Sequence, residues 1–167
     1  MILATTNPPS SDAREAARRL MLLAATGSVA LLAGAYTFQA MGYAPCAICY
    51  WQRWPHMLAA LLGIVAIFRP ARLVAAAGGL AAAATGGIGV YHTGVERGWW
   101  AGPSSCTGGG SLSGLSGADL LATDIAGRVV MCDQAAWTFA GLSMASWNAV
   151  FSFALAALWV LAARRAA

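Results

Sequence analysis

Four long apolar runs, almost free of charge, are the feature that most constrains how this chain can fold. The first covers 20–41, 22 residues without a charged side chain. As a helix it would be about 33 Å long, enough to cross a hydrocarbon core of about 30 Å. The others lie at 47–68, 73–93 and about 141–163. Only 10% of the residues are charged, against about 25% in a typical soluble domain. The sequence therefore predicts an integral membrane protein, with one domain over 1–167.

The predicted fold is all-α, a four-transmembrane-helix bundle with extracytoplasmic loops at about 42–46 and 94–140. In the long loop, Leu121, Ile125 and Val129 recur every four residues, which predicts a short interfacial helix within 112–131. Glycines in the third run predict close helix packing. A signal peptide cleaved after 33–35 is an alternative for the first run, but that run is longer than usual for such a peptide.

The arginines predict the orientation, because loops on the cytoplasmic side carry an excess of basic residues. With both termini cytoplasmic, that side has seven arginines and the other side three. The cytoplasmic set is Arg14, Arg18, Arg19, Arg69, Arg72, Arg164 and Arg165, and the outer set is Arg53, Arg97 and Arg128. All four cysteines then lie outside the cytoplasm. The net charge of +4 comes from scattered arginines without a basic stripe, so no nucleic-acid partner is expected.

Cys46 and Cys49 form a C-x-x-C motif at the entrance to the second apolar run. Two thiols at this spacing can close a disulfide, reopen it and transfer electrons as a pair. Pro45 is expected at the first helical position, where its missing N–H has no consequence. The cysteines then share a helix face with Arg53, and the helix N-terminus and the guanidinium both favour a thiolate. The motif alone leaves open an inert buried pair or half of a zinc site.

Cys106 and Cys132 are the natural second pair, because an even number of cysteines in an oxidising compartment argues for disulfides. They lie 26 positions apart. A bond between them would limit the freedom of the loop and thereby stabilise the folded state by roughly 3–4 kcal/mol. A Cys₄ zinc site usually needs two close pairs, so no metal is expected. Two dithiols without a nucleotide or flavin fingerprint predict an electron relay to a lipid-soluble acceptor.

These features together resemble the disulfide bond formation protein B (DsbB) family, the quinone-dependent membrane oxidases of the bacterial periplasm. The resemblance covers the chain from about residue 15 to its end, and it rests on the order and spacing of four motifs. The motifs are Pro45-Cys46-Ala47-Ile48-Cys49 with Arg53, Tyr91-His92-Thr93-Gly94-Val95-Glu96, Gly102-Pro103-Ser104-Ser105-Cys106, and Cys132 followed by the segment from Trp137 to Asn148.

The resemblance implies a membrane oxidoreductase that reoxidises a periplasmic, DsbA-like thioredoxin-fold protein. That partner would attack the Cys106–Cys132 disulfide at Cys106, and the electrons would then pass to Cys46 and Cys49. Glycines around Cys106 predict a sulfur accessible to another protein, whereas the apolar residues before Cys132 predict a position nearer the membrane. The protein would lie in the bacterial inner membrane with its cysteines in the periplasm.

The resemblance also implies the quinone site. Cys49 would be the thiolate facing the quinone, which would be ubiquinone or menaquinone, and Arg53 would bind a quinone oxygen. His92 is expected either near the quinone or at the interface with its hydrogen bonds satisfied. An acidic residue often precedes the arginine in this family, and Gln52 stands there instead. The details of the pocket stay open.

Two other functions remain open from the sequence. A vitamin K epoxide reductase-like thiol oxidase also couples dithiols to a quinone in a four-helix protein, but its quinone-side C-x-x-C lies at the fourth span. A non-catalytic scaffold held by disulfides belongs to a different class. Cycling of both cysteine pairs with the redox state of a quinone would distinguish an oxidase from such a scaffold.

Overall fold

The computed structural model describes residues 10–107 and 130–166, which form four long helices and one short pair of strands. The helices are α1 (Ser11–Ala40), α2 (Ala47–Phe68), α3 (Arg72–Glu96) and α4 (Met144–Arg165). The strands β1 (Thr138–Phe139) and β2 (Leu142–Ser143) pair antiparallel just before α4. Thr138 lies opposite Ser143, and Phe139 lies opposite Leu142.

The four helices pack as a ring in which neighbours along the ring make the main contacts. α3 packs most extensively against α4, α2 packs against α3, and α1 packs against both α2 and α4. α1 and α3 lie diagonally across the ring and touch little. The predicted all-helical architecture is confirmed.

Three of the helices that the structure describes, α1, α3 and α4, are long and apolar enough to cross a membrane. α2 falls short of that standard, because its first turns carry the polar side chains Gln52, Arg53 and His56. The four-span count therefore stays a prediction. The interfacial helix expected within 112–131 lies almost wholly outside the described residues, which resume at 130.

The start of α2 differs from the sequence-based expectation. Pro45 was expected at the first helical position, and this is wrong: α2 begins at Ala47, with Cys46 as its N-cap in an extended conformation. The Cys46 side chain accepts a hydrogen bond from the Cys49 backbone N–H. An N-cap side chain accepts a hydrogen bond from a free backbone N–H of the first helical turn, and the sulfur of Cys46 does this. The reactive motif is thereby part of the helix terminus.

Small residues let the helices approach closely in the core. The main buried cluster consists mostly of alanines around the fully buried Trp159, together with Met21. Gly78 of α3 lies against the Trp159 ring, where an added Cβ would come within 2.5 Å of the indole. The packing role expected for the α3 glycines is thus confirmed at Gly78, whereas Gly87 has open space.

This contact predicts the effect of adding one methyl group at two positions of α3. Gly78→Ala should lower the free energy of unfolding by about 1–3 kcal/mol, because the methyl group overlaps a rigid, buried indole. Gly87→Ala is the matched control, since nothing lies within 4 Å of its added Cβ. Thermal unfolding in detergent measures both. Equal melting temperatures for the two variants would contradict the packing described here.

Candidate active site

The two cysteines of the C-x-x-C motif lie side by side at the start of α2. Both are free, and their sulfurs are 2.9 Å apart. Cys46 is buried, with 4% of its surface exposed, and Cys49 is half-buried. The structure therefore holds this pair as a dithiol in the geometry of two thiols that share a hydrogen bond.

Three hydrogen-bond contacts converge on the sulfur of Cys46. The Cys49 backbone N–H donates at 3.3 Å, the Cys49 sulfur lies at 2.9 Å, and Nε2 of His92 lies at 3.5 Å. Donors around a sulfur stabilise its charged form. The Cys49 thiol does most to lower the pKa of Cys46, against the opposing effect of burial, and His92 adds to the lowering. These contacts make Cys46 the more acidic thiol of the pair, whereas the family resemblance implied a thiolate on Cys49.

Cys106 and Cys132 form a disulfide, so the predicted pairing is confirmed. The predicted accessibility of Cys106 is wrong for this structure, because only 3% of Cys106 is exposed. A turn is the physical reason: the Thr107 hydroxyl donates to the Pro103 carbonyl at 2.8 Å, and the Cys106 N–H donates to the same carbonyl at 3.0 Å. This turn folds the sulfur inward.

The two cysteine pairs belong to one buried cluster. Cys46, Cys106 and Cys132 pack together with Ile48 and Val95, and Cys49 lies at the edge of the cluster. The backbone N–H of Cys132 also bonds to the carbonyl of Cys106. The fold thus brings together four cysteines from α2 and from the polar segment that follows α3.

His92 of α3 connects the dithiol to the interior of the bundle. Its Nε2 faces Cys46, and Glu96 Oε1 lies 3.8 Å from the same nitrogen. Its Nδ1 is 2.9 Å from Nε2 of Gln52. Of the two positions expected for His92, the structure shows a buried ring beside the dithiol, with both nitrogens engaged.

Beyond Gln52, the polar contacts continue down the bundle. Nδ2 of Asn148 donates to Oε1 of Gln52 at 2.7 Å, and Oδ1 of Asn148 is 2.9 Å from Nε2 of His56. Ser152 lies 3.3 Å from that same nitrogen. From the sequence, no role is assigned to His56 or Asn148. His56 is marked only as a polar side chain inside an apolar run, and Asn148 also ends the last segment that carries the family resemblance.

Arg53 is held by neutral partners. Its Nη1 donates to Oε1 of Gln39 at 2.9 Å. Its guanidinium lies over the rings of Tyr36 and Tyr50, at 4.7 and 4.9 Å from their centroids. A guanidinium binds aromatic faces through its positive charge and its planar shape. α1 and α2 therefore clamp Arg53 from two sides and fix its orientation.

A cavity of about 400 Å³ opens beside the dithiol. Its polar lining includes every residue predicted for the quinone site, namely Cys49, Arg53 and His92, together with Cys46. Its apolar lining includes a run of aromatic rings with neighbouring centroids 5.2–6.3 Å apart. These rings are Phe38, Trp137, Phe139, Trp147 and Phe151. The cavity is suited to a flat, mostly apolar molecule with a few polar atoms.

The donor atoms do not make up the Cys₄ zinc site considered from the sequence. Two of the four cysteines are joined as a disulfide, which supplies no thiolate. Within 10–107 and 130–166, Cys46, Cys49 and His92 bring three donor atoms within 4.8 Å of one another. A structural zinc site uses four ligands, so these three atoms are one ligand short of such a site.

Comparison with protein families supplies the relationship of the chain to known proteins. A family model described as disulfide bond formation protein DsbB matches residues 17–162. That range contains all four helices nearly in full and all four cysteines. Neither the curated proteins nor the solved structures gave a match.

The contacts at Cys46 predict how its ionisation depends on pH. Because the pKa of Cys46 is lowered, its thiolate should persist to lower pH than an ordinary thiol, whose pKa is about 8.5. Cys49→Ser keeps a donor to Cys46 and Cys49→Ala removes it, so the midpoint should be higher in Cys49→Ala. Ultraviolet thiolate absorbance measures both, since each variant retains one free thiol. Equal midpoints in the two variants would contradict the proposed hydrogen bond.

Proposed function

We propose a function for this chain from its membership of the DsbB family, whose members generate disulfides at the membrane. The chain oxidises a periplasmic thioredoxin-fold dithiol protein and passes the electrons to a membrane quinone. The observation that carries the proposal is the packing of two cysteine pairs in one cluster beside the cavity. A relay of electrons between the pairs requires this proximity, because thiol–disulfide exchange proceeds by direct contact of sulfurs.

The outer pair would receive the electrons first. A thiolate of the partner attacks Cys106, which forms a mixed disulfide and releases Cys132 as a thiolate. The second thiol of the partner then displaces Cys106, so the partner becomes a disulfide and the outer pair a dithiol. Because Cys106 is buried, its turn must open for the partner to reach the sulfur.

The inner pair would carry the electrons onward. The Cys132 thiolate attacks the Cys46–Cys49 disulfide, and exchange within the cluster restores the Cys106–Cys132 bond and leaves Cys46 and Cys49 as thiols. The bonding pattern of the structure matches this stage, with the outer pair oxidised and the inner pair reduced. Two electrons and two protons then pass to the quinone, which gives a hydroquinone and the inner disulfide.

The cavity would hold the quinone ring. Its volume of about 400 Å³ lies within the range of small-molecule sites, and the aromatic run supplies an apolar surface for the ring. Arg53 would donate to a quinone oxygen, and the tyrosine clamp would keep its planar fork in place. Cys49 would face the ring, since it lines the same cavity.

We also propose that α2 is a fourth membrane span. Its polar residues Gln52, Arg53 and His56 are each at most 7% exposed, so they face the bundle. Its exposed residues farther along, such as Leu61 and Ile64, are apolar. Polar groups inside the membrane are tolerated when they face the protein interior. Four spans with the arginine distribution would place both termini in the cytoplasm of a bacterium and the cysteines in the periplasm.

Trapping of the partner tests the order of the outer steps. In Cys132→Ala the outer disulfide is absent and Cys106 is a free thiol, so the partner is supplied with a single active-site thiol, activated as a mixed disulfide with thionitrobenzoate. Cys106 should displace thionitrobenzoate, and the Cys106–partner disulfide should accumulate because Cys132 and the second thiol of the partner are both missing. Cys106→Ala is the matched control and should trap little, because the reacting sulfur is absent. Non-reducing gels of both variants with the partner measure the adduct.

A stable adduct through Cys132 in the control would reverse the order of attack. No adduct in either variant, in a chain whose helices are intact, would favour the non-catalytic scaffold. The family match over residues 17–162 favours the DsbB-type relay over the vitamin K epoxide reductase-like alternative, whose quinone-side C-x-x-C would lie at the fourth span.

A further inference from the structure

A directed chain of hydrogen bonds runs from the middle of the bundle to the sulfur of Cys46. We propose that this chain fixes the proton of His92 on Nε2, which makes His92 a hydrogen-bond donor to Cys46, with Gln52 and Asn148 as positioning residues. The inference rests on the proposed function, since it assigns these residues to the reaction of the inner cysteine pair.

Thr85 sets the direction of the chain. Its hydroxyl donates to the backbone carbonyl of Gln52 at 2.9 Å. The hydroxyl has one proton, so its lone pairs are left to face Nδ2 of Asn148 at 3.3 Å. An amide oxygen at that place would meet lone pairs without a proton between them. Asn148 is therefore held with its nitrogen toward Thr85 and its oxygen toward His56.

The contact with Asn148 orients the side-chain amide of Gln52. Its Oε1 accepts from Nδ2 of Asn148 at 2.7 Å, so its nitrogen must occupy the other branch of the amide. That nitrogen also lies 3.5 Å from the carbonyl of Ile48, which can only accept. Two independent contacts thus give the same orientation of Gln52. Its N–H groups point to Nδ1 of His92, at 2.9 Å.

The neutral ring of His92 carries one proton, on either Nδ1 or Nε2. Nδ1 accepts from Gln52, so the single ring proton is on Nε2. Nε2 faces the sulfur of Cys46 at 3.5 Å and the carboxyl oxygen of Glu96 at 3.8 Å, both of which can accept. Among the residues that the structure describes, the titratable groups near the ring include these two and Cys49, which bonds to Cys46.

The donor and acceptor can also be assigned at the His56 end of these hydrogen bonds. Oδ1 of Asn148 can only accept, so Nε2 of His56 carries a proton and donates at 2.9 Å. Ser152 touches this nitrogen from outside the chain of amides, at 3.3 Å. Every link from His56 to Cys46 then has one donor and one acceptor. A reversal at any link would leave two donors or two acceptors face to face in a buried site.

The consequence for the chemistry is a division of roles at Cys46. Because Nε2 already carries its proton, neutral His92 cannot take the Cys46 proton through that nitrogen. It instead donates to the sulfur and favours the thiolate, which is the form that attacks a disulfide or leaves one. Gln52 therefore affects the reactivity of a sulfur that it does not touch.

Nitrogen-15 NMR of the His92 ring tests the proposal in the reduced, full-length protein in detergent. In the wild type we expect Nε2 to be protonated and Nδ1 to have a free lone pair. Gln52→Glu removes the N–H that faces Nδ1 and puts a carboxylate there, so a proton should appear on Nδ1. Thr85→Val keeps the shape and removes only the hydroxyl beside Asn148. Because the carbonyls of Ile48 and Thr85 still accept from the amide nitrogens, Nε2 of His92 should stay protonated.

Ser152→Ala is the matched control, because it removes a contact to His56 without changing the direction of any link; the ring signals of His92 should be unchanged. A second readout is the pH midpoint of the Cys46 thiolate in a Cys49→Ser background. Gln52→Met should raise this midpoint by roughly one pH unit, the equivalent of one hydrogen bond of ordinary net strength. A role of Gln52 in packing alone would leave the midpoint unchanged.

Two results would overturn the inference. One is a wild-type His92 with its proton on Nδ1, and the other is a Gln52→Glu ring with unchanged signals. Either result in a protein that reduces quinone normally would leave the proposed function standing. The expected tautomer in a protein that reduces no quinone would overturn the proposed function and leave the inference intact.

Discussion

The site depends on one constraint, which is that polar side chains buried in an apolar bundle must satisfy one another. Gln52, His56 and His92 are each at most 7% exposed, and every one of them bonds to a side chain on another helix. An unpaired polar group in such an interior costs roughly 1–3 kcal/mol. The partners therefore fix the relative positions of α2, α3 and α4 around the dithiol. The same contacts that hold the bundle together also orient the groups that face Cys46.

The second condition for a relay is that two sulfur pairs from distant parts of the sequence meet. Cys46 caps α2, and the Cys106–Cys132 disulfide packs against it in a common cluster with Ile48 and Val95. A cap position keeps the sulfur at the very end of the helix, where another cysteine can approach it. The cavity beside the inner pair offers a site lined by Cys46, Cys49 and aromatic residues. In the proposed relay, electrons enter through one pair and leave toward this cavity.

The sequence predicted the helices well, because each one is a long apolar run with few charges. It also predicted the partner of Cys106, since only one pairing of the loop cysteines was available. It did not predict the burial of Cys106, which depends on the turn at Pro103 and Thr107. The contact between Gln52 and Asn148 joins positions 96 apart. Periodicity tells which face of a helix is polar, but only packing determines which distant residue that face meets.

Quinone reduction by the complete relay tests the central claim most directly. Purified protein is mixed with a reduced periplasmic thioredoxin-fold protein and excess quinone, and both products are counted. We expect one hydroquinone for each disulfide formed in the partner, and none with Cys49→Ser, in which the inner pair can no longer form a disulfide. Quinone reduction by Cys49→Ser at the wild-type rate, or partner oxidation without hydroquinone, would contradict the relay.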